Sequence, residues 1–440
     1  MFEGYHGPMI DAVEIPCASG PVTGNIRPPG SKSLTNRALV CAALADGPSR
    51  LTGVLDSQDT RVMAAGLERL GCRLDADWPG GRIDVEGLAG RIPAAAAEID
   101  CAASGTTIRF LAAVCGLGHG SYRLDGTPRM RKRPIGDLCD GLAALGVEAR
   151  AESPGRCPPM VVESRGIRGG DVVVRGDTSS QFASGLAMIG PCSPEGIDLV
   201  LEGTIVSLPY LEMTRRVMEA FGAEVAVDAS LRRWRVAPGG YRGRTYAVEP
   251  DASAASYFLA AAAITGGRVR VEGLSNASLQ GDVAFASALG RMGCDVAWLD
   301  DAIEVSGRVR RGIDIDMNAI SDTVPTLAVV ALFADGPTTI RNVAHIRDKE
   351  TDRIGDLARE LAAIGARVVE AADGLQITPS PLHGARLATY DDHRMAMSLA
   401  LAGLAVPGVV IADPACVGKT FPGYWNELSR LAGVRIVVEP

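Results

Sequence analysis

The sequence is poor in aromatic residues, at 5%, which argues against a surface that stacks nucleic-acid bases. It has no basic surplus. Lys and Arg number 44 against 52 Asp and Glu, a formal net charge of -8, so a polyanion partner is not expected beyond a local basic pocket. Long hydrophobic runs are missing. The longest, such as FLAAAAI and TLAVVALFA, fall well short of the roughly 20 residues that span a bilayer. The amino-terminal stretch MFEGYHGPMIDAVEIPCASG has no basic start followed by an apolar segment, so no signal peptide is expected. The ten cysteines include no C-x-x-C pair and no Cys/His cluster. That pattern points to reduced, buried thiols in a cytoplasmic protein, with no metal site.

What is present is a globular composition, 47% hydrophobic and 22% charged over 440 residues, long enough for two or three domains. An internal repeat organises it. GLERLGCRLDAD turns at Gly71, GLAALGVEARAE at Gly146, VMEAFGAEVAVD at Gly222, ALGRMGCDVAWLD at Gly293, LAAIGARVVEA at Gly365 and LSRLAGVRIVVEP at Gly433. The successive spacings are 75, 76, 71, 72 and 68 residues. Each copy reads as apolar residues at helical spacing, a glycine able to adopt the left-handed conformation that stops a helix, and then an alternating strand. Six units of this size, each with room for two helices and three or four strands, mean a repeat architecture and not one continuous Rossmann sheet. The spacing leaves open a ring, a solenoid, or two groups of three.

Several motifs place polar residues where a turn feeds a helix. PPGSKSLTNRALVCAALADG has Ser31, Lys32 and Ser33 at a helix start and Arg37 one turn further, on the same side as Ser33. This is either a plain capped helix or an anion site, and it lacks the spacing of a Walker loop. CAASGTTIRFLAAV repeats the design with Gly105, Thr106, Thr107 and Arg109, and TPRMRKRPIGDL supplies Arg129, Arg131, Lys132 and Arg133. GDTSSQFASGLAM offers Ser179, Ser180 and Gln181, which read equally as caps. Asp322 heads an apolar helix in DMNAISDTVPTLAVVALFADG, where an N-cap is the plain reading. IRDKETDRIGDL carries Lys349, Glu350 and Arg353; TYDDHRMAMSLALAG carries Asp391, Asp392, His393 and Arg394; and Lys419 precedes an aromatic cluster in GKTFPGYW. Singly, most of these are ordinary caps and solvated loops. Together they supply seven candidate cations, Lys32, Arg37, Arg129, Lys349, Arg353, Arg394 and Lys419. Such a set suits ligands with two phosphates and two carboxylates, on the order of -5 to -6 in charge at neutral pH. So many cations are expected to repel one another in an empty site and to close on their ligands.

The motifs PPGSKSLTNRALVCAALADG, SGTTIRFL, PRMRKRPIGDL, SSQFASGLAM, DASAASYFLAAAAI, RDKETDRI, DDHRMAMSLALAG and KTFPGYW occur in the order seen in 5-enolpyruvylshikimate-3-phosphate (EPSP) synthases, the 3-phosphoshikimate 1-carboxyvinyltransferases. The resemblance runs from about residue 20 to the end. It implies an α/β, two-domain enolpyruvyl transferase fold of six βαβαββ repeat units, three per domain, with the active site in the interdomain cleft. The first domain would contain residues 1–29 and 248–440, and the second residues 30–247. The implied reaction transfers the enolpyruvyl group of phosphoenolpyruvate to the 5-hydroxyl of shikimate 3-phosphate by addition and elimination of phosphate. It belongs to the shikimate pathway, on the way to chorismate and the aromatic amino acids. No metal or organic cofactor, no membrane or nucleic-acid partner and a monomeric state are implied.

By the same resemblance, Lys32, Ser33, Arg37, Ser179, Ser180, Gln181, Ser207, Asp322, His345 and Lys349 would hold shikimate 3-phosphate. Lys32, Gly105, Arg129, Gln181, Arg353, Arg394 and Lys419 would hold phosphoenolpyruvate. Asp322 would take the hydroxyl proton, and Glu350 would move the proton at C3, with Lys32 and His393 in support. Ala102 and Ala103 depart from the family's Gly-Asn, which removes a polar contact to phosphoenolpyruvate. His345 stands where many members have asparagine, so that its charge depends on pH. Gly105 is retained, which implies room for glyphosate, although Phe110 replaces the proline of some sensitive members. Two alternatives differ in their marks. The sister transferase acting on UDP-N-acetylglucosamine carries a cysteine in the loop matching residues 124–134, where this chain has none. A non-catalytic phosphometabolite-binding homologue would lose acid and base residues that are retained here.

Overall fold

The computed structural model describes residues 11–437. The first half of the stretch read above for a signal peptide, and the last three residues of the sixth repeat, lie outside them. Contacts divide the chain into two compact units. One, here the terminal unit, contains the segment up to Pro28 and everything from Asp251 onward. The other, the inserted unit, is Pro29–Pro250.

Each of the six repeat glycines takes a left-handed backbone, with φ of 100° at Gly71, 84° at Gly146, 91° at Gly222, 104° at Gly293, 95° at Gly365 and 64° at Gly433. Each ends an amphipathic helix: Gln58–Arg69, Gly136–Ala144, Leu208–Ala220, Ala284–Arg291, Gly355–Ala363 and Tyr424–Ala432. A strand follows the first five, as the alternation predicts: Arg73–Asp77, Glu148–Ser153, Val225–Val227, Asp295–Leu299 and Arg367–Ala371. After Gly433 the described residues form no strand. The sheet of that repeat is completed from the other end of the chain. Ala12–Ile15 pairs antiparallel with Val409–Ala412, which pairs parallel with Arg386–Leu387.

The five four-stranded sheets share one topology. An edge strand runs parallel to its neighbour, and two further strands add antiparallel. Ala96–Asp100, His119–Asp125, Cys157–Arg165 and Glu148–Ser153 show it in the inserted unit. Thr23–Ile26, Arg268–Glu272, Ala302–Ser306 and Asp295–Leu299 show it in the terminal unit. Strands such as Arg268–Glu272 bury alternate residues, the period-two pattern of a sheet with one covered face.

The other helix of each repeat is largely apolar and is buried along most of its length. These are Lys32–Leu44, Gly105–Cys115 and Ser180–Ile189 in the inserted unit, and Ala252–Thr265, Val324–Ala331 and His393–Gly403 in the terminal unit. A helix without a polar face needs core on every side, and removing Leu327 or Leu399 from it costs about 2–5 kcal/mol. Some hydroxyls inside these cores pair with one another. In the terminal unit a hydroxyl chain crosses the three helices, Ser256 to Thr326 at 3.2 Å and Thr326 to Ser398 at 3.2 Å. The aromatic cluster after Lys419 joins the same core. Phe421, Tyr424 and Trp425 are buried, with Tyr424 5.6 Å from the Tyr257 ring. None of the ten cysteines is in a disulfide; Cys17 is exposed, Cys192 half-buried and the others buried. No helix among the described residues is long and apolar enough to cross a membrane.

Candidate active site

In the inserted unit the three buried helices begin on serine caps. Ser31 accepts from the amide of Leu34, Ser104 from Thr107 and Ser179 from Gln181. No acidic residue occupies a first turn, so the positive helix ends remain available to an anion. Lys32 opens the first helix with Nζ 3.3 Å from Oδ2 of Asp59, a buried carboxylate on the neighbouring helix. Ser33 is half-buried beside it.

Arg37 is fully buried. It donates to Thr214 Oγ1 at 2.8 Å, to the Ser33 carbonyl at 3.0 Å and to the Tyr210 carbonyl at 3.3 Å. Its guanidinium carbon lies 5.2 Å from the centre of the Phe110 ring. Burial pulls its pKa down to about 10, yet it stays charged at neutral pH, with no carboxylate among its described partners. A buried cation of this kind favours an anionic ligand.

Gln181, the second residue of its helix, donates through Nε2 to Thr106 Oγ1 at 3.0 Å and accepts from Arg109 Nη1 at 2.5 Å. Ser180 is buried beside it. Ser207 is buried at the start of Leu208–Ala220 with φ of 54°. Arg129 is half-buried ahead of the 3-10 turn Met130–Lys132. Gly105 faces the buried guanidinium of Arg133; a Cβ there would lie 2.6 Å from Nη2 and 2.7 Å from Nη1. Only glycine leaves that space. Ala102, which replaces a family glycine, keeps a left-handed φ of 45°. Its amide donates to Asp100 Oδ1 at 2.8 Å and its carbonyl accepts from Thr127 at 3.0 Å, so two bonds offset the cost of a Cβ in that conformation.

In the terminal unit the motif residues form one charged network. Asp322 does not cap the helix it precedes. Its Oδ1 accepts from Arg353 Nη1 at 3.2 Å and its Oδ2 from Arg394 Nη2 at 2.7 Å. Arg353, only 1% exposed, also donates twice to Asp392, at 2.7 and 3.1 Å, and to Glu350 Oε2 at 2.9 Å. Glu350 Oε1 accepts from Lys419 Nζ at 2.7 Å. Burial lowers the pKa of Arg353, but Asp392, Glu350 and Asp322 outweigh it and the net shift is upward. Arg353, Arg394 and Lys419 are therefore matched by Asp322, Glu350 and Asp392. This corrects the expectation of a mutually repelling empty set: in this unit each of those cations already touches a carboxylate.

His345 follows the same electrostatics. Burial, with Lys349 nearby, pulls its pKa down to about 4, so it is a neutral hydrogen-bonding group at pH 7 and not the pH-dependent charge the sequence suggests. The His393 ring is buried, with Nδ1 3.7 Å from Asp392 Oδ1.

The sequence reading missed several members. Asp59 pairs with Lys32 across 27 positions, and Arg133, read only as part of a basic run, packs on Gly105. Asp282 is buried, accepts from Ser253 Oγ and is pushed up to about 7, first by burial and then by the Asp322 charge. Arg109 alone left a local signal, an arginine inside an apolar helix. A surface concavity of about 650 Å³ lined by Arg50, Arg73, Asp84 and Arg244 contains none of the motif residues.

The chain shares its fold with solved enolpyruvyl transferases. A solved EPSP synthase from Acinetobacter baumannii superimposes with a TM-score of 0.81 at 24% identity, over 98% of this chain and 100% of that one. The enolpyruvyl transferase NikO from Streptomyces tendae gives 0.73 at 20% identity, over 97% and 98%. The particular family follows from sequence. The EPSP synthase (3-phosphoshikimate 1-carboxyvinyltransferase) family model matches residues 17–428. The 3-phosphoshikimate 1-carboxyvinyltransferase of Nostoc punctiforme is 47% identical over 96% of this chain and 99% of its own. The chain belongs to the EPSP synthase family.

Proposed function

We propose that the chain transfers the enolpyruvyl group of phosphoenolpyruvate to the 5-hydroxyl of shikimate 3-phosphate, releasing phosphate. The observation that carries this reading is the pairing of its two reactive carboxylates. Asp322 lies between Arg353 and Arg394, and Glu350 lies between Arg353 and Lys419. A base, a proton carrier and cations for the developing charge are what addition and elimination at an enol phosphate require.

In the addition, Asp322 takes the 5-hydroxyl proton as the oxygen bonds to C2, and Glu350 delivers a proton to C3 to make a methyl group. In the elimination, a proton leaves C3 for Glu350, the double bond re-forms, the C2–O bond to phosphate breaks, and the proton held by Asp322 goes to the departing phosphate. Lys32 and His393 support the proton traffic. Arg353, Arg394 and Lys419 on the terminal unit, and Arg129, Gly105 and Lys32 with Gln181 on the inserted unit, are the residues assigned to phosphoenolpyruvate. Arg37, Ser33, Ser179, Ser180, Gln181, Ser207 and Lys32 on the inserted unit, and Asp322, His345 and Lys349 on the terminal unit, are the residues assigned to shikimate 3-phosphate. The carboxylates now paired with Arg353, Arg394 and Lys419 hold these cations in place and share them with the incoming anion. The enzyme acts as a monomer in the cytoplasm, without a metal or organic cofactor.

The test is deuterium incorporation at C3 of the product in heavy water, followed by NMR. Glu350→Gln should bind both substrates and incorporate deuterium at least ~100-fold more slowly than wild type. Undiminished incorporation in that variant would remove Glu350 from the proton path.

A further inference from the structure

The loop carrying Glu350 and Arg353 and the turn carrying Asp392 and Arg394 are far apart in sequence but are tied together behind the charged network. The tie centres on Glu360, a carboxylate on the helix Gly355–Ala363 that is only 6% exposed. Its Oε2 accepts from the amide of Ala388 at 2.8 Å and its Oε1 from the Tyr390 hydroxyl at 2.5 Å. Arg359 Nη1 donates to the same hydroxyl at 2.9 Å and to Asp356 Oδ1 at 2.7 Å. The other oxygen of Asp356 accepts from the hydroxyl of Thr351, which lies between Glu350 and Arg353.

The turn needs such support. Tyr390 and Asp391 are consecutive non-glycine residues with φ of 56° and 55°, a conformation costing roughly 1–2 kcal/mol at each. The next residue is Asp392, whose carboxylate caps the helix at Arg394 and grips Arg353 with two bonds. Relaxation of the turn toward right-handed backbone would redirect Asp392 and loosen both arginines. Strain held at a site by surrounding bonds is a recognised means of aiming side chains.

We propose that Glu360 is a positioning residue of the reaction: through Ala388 and Tyr390 it fixes the left-handed turn that aims Asp392 at Arg353, and so sets Arg353 and Arg394 for the phosphate and carboxylate of phosphoenolpyruvate. This rests on the function proposed above. Glu360 touches no reacting atom; it acts through Tyr390, Asp392 and the two arginines.

Three variants test it: Glu360→Ala, Glu360→Gln and Tyr390→Phe. Glu360→Ala and Tyr390→Phe should raise KM for phosphoenolpyruvate about tenfold or more while KM for shikimate 3-phosphate stays within about twofold, because misplacement of a gripping side chain acts on its own ligand. Glu360→Gln, which retains an oxygen acceptor, should recover most of the loss. Equal changes in both KM values, or a lower unfolding temperature with unchanged KM values, would overturn the proposal and leave Glu360 a purely structural residue. If wild-type protein with both substrates releases no phosphate, the functional reading fails separately. Amide hydrogen exchange then decides. Residues 391–394 should exchange about tenfold faster in Glu360→Ala than in wild type if the turn depends on Glu360, and equal exchange would refute the tie.

Discussion

Replacing Asp282 by asparagine gives the network a pH-dependent signature. Asp282 is buried against Ser253, with the Asp322, Arg394 and Asp251 charges acting on it, and its pKa stands at about 7 against an ordinary 3.8. Below about pH 4 it is protonated in both folded and unfolded chains. Between about pH 4 and pH 7 the folded chain holds a proton that the unfolded chain has lost, so stability falls as pH rises through this window. Above pH 7 no further change comes from this group. A gap of about three pKa units is worth about 4 kcal/mol. Asparagine has the same shape, can still accept from Ser253 and cannot ionise, so the cost disappears. Stability of Asp282→Asn relative to wild type should therefore increase by up to about 4 kcal/mol between pH 4 and pH 8. At about 2–4 °C per kcal/mol for a domain of this size, that is roughly 8–16 °C in unfolding temperature. Calorimetry of both proteins at pH 4.5, 6 and 8 reads it directly, and groups common to both cancel in the difference. A difference that stays flat across that range would refute the reasoning.

Other outcomes follow from single positions. Ala102→Gly relieves a Cβ at φ of 45° and should stabilise the fold by about 1 kcal/mol, read as a shift in the denaturant midpoint. Gly105→Ala places a Cβ within 2.6 Å of Arg133 Nη2. It should raise KM for phosphoenolpyruvate about tenfold or more by displacing that guanidinium, with KM for shikimate 3-phosphate little changed. Thr214→Val removes the acceptor for Arg37 Nε. It should cost about 1–3 kcal/mol in stability and weaken shikimate 3-phosphate in calorimetric titration.

The helix ends were the legible part of the fold, because a left-handed glycine and the alternation after it are local signals. Gly71, Gly146, Gly222, Gly293 and Gly365 each stop a helix and start a strand. The exception is instructive. Gly433 stops its helix, but the sheet there takes its third strand from Ala12–Ile15, and pairing between distant segments leaves no mark in either. The same limit governs the site. Lys32, Arg37, Glu350, Arg353 and Lys419 were visible as polar residues clustered at turns, but their charge balance was not. The partners Asp59, Asp282, Asp392 and Glu360 each read locally as an ordinary helix or cap carboxylate. Asp322 shows the converse: its position suggested a cap, and only the fold turns its carboxylate to two arginines. Arg133 stayed hidden within a basic run because only packing against Gly105 separates it from Arg129.

The central claim is most directly tested by phosphate release from phosphoenolpyruvate, measured with and without shikimate 3-phosphate, on wild type and Asp322→Ala. The account predicts release by wild type only when shikimate 3-phosphate is present, and a fall of about 100-fold or more in the variant, the range expected for losing a positioned base. Release that ignores shikimate 3-phosphate, or that survives in Asp322→Ala, would contradict it.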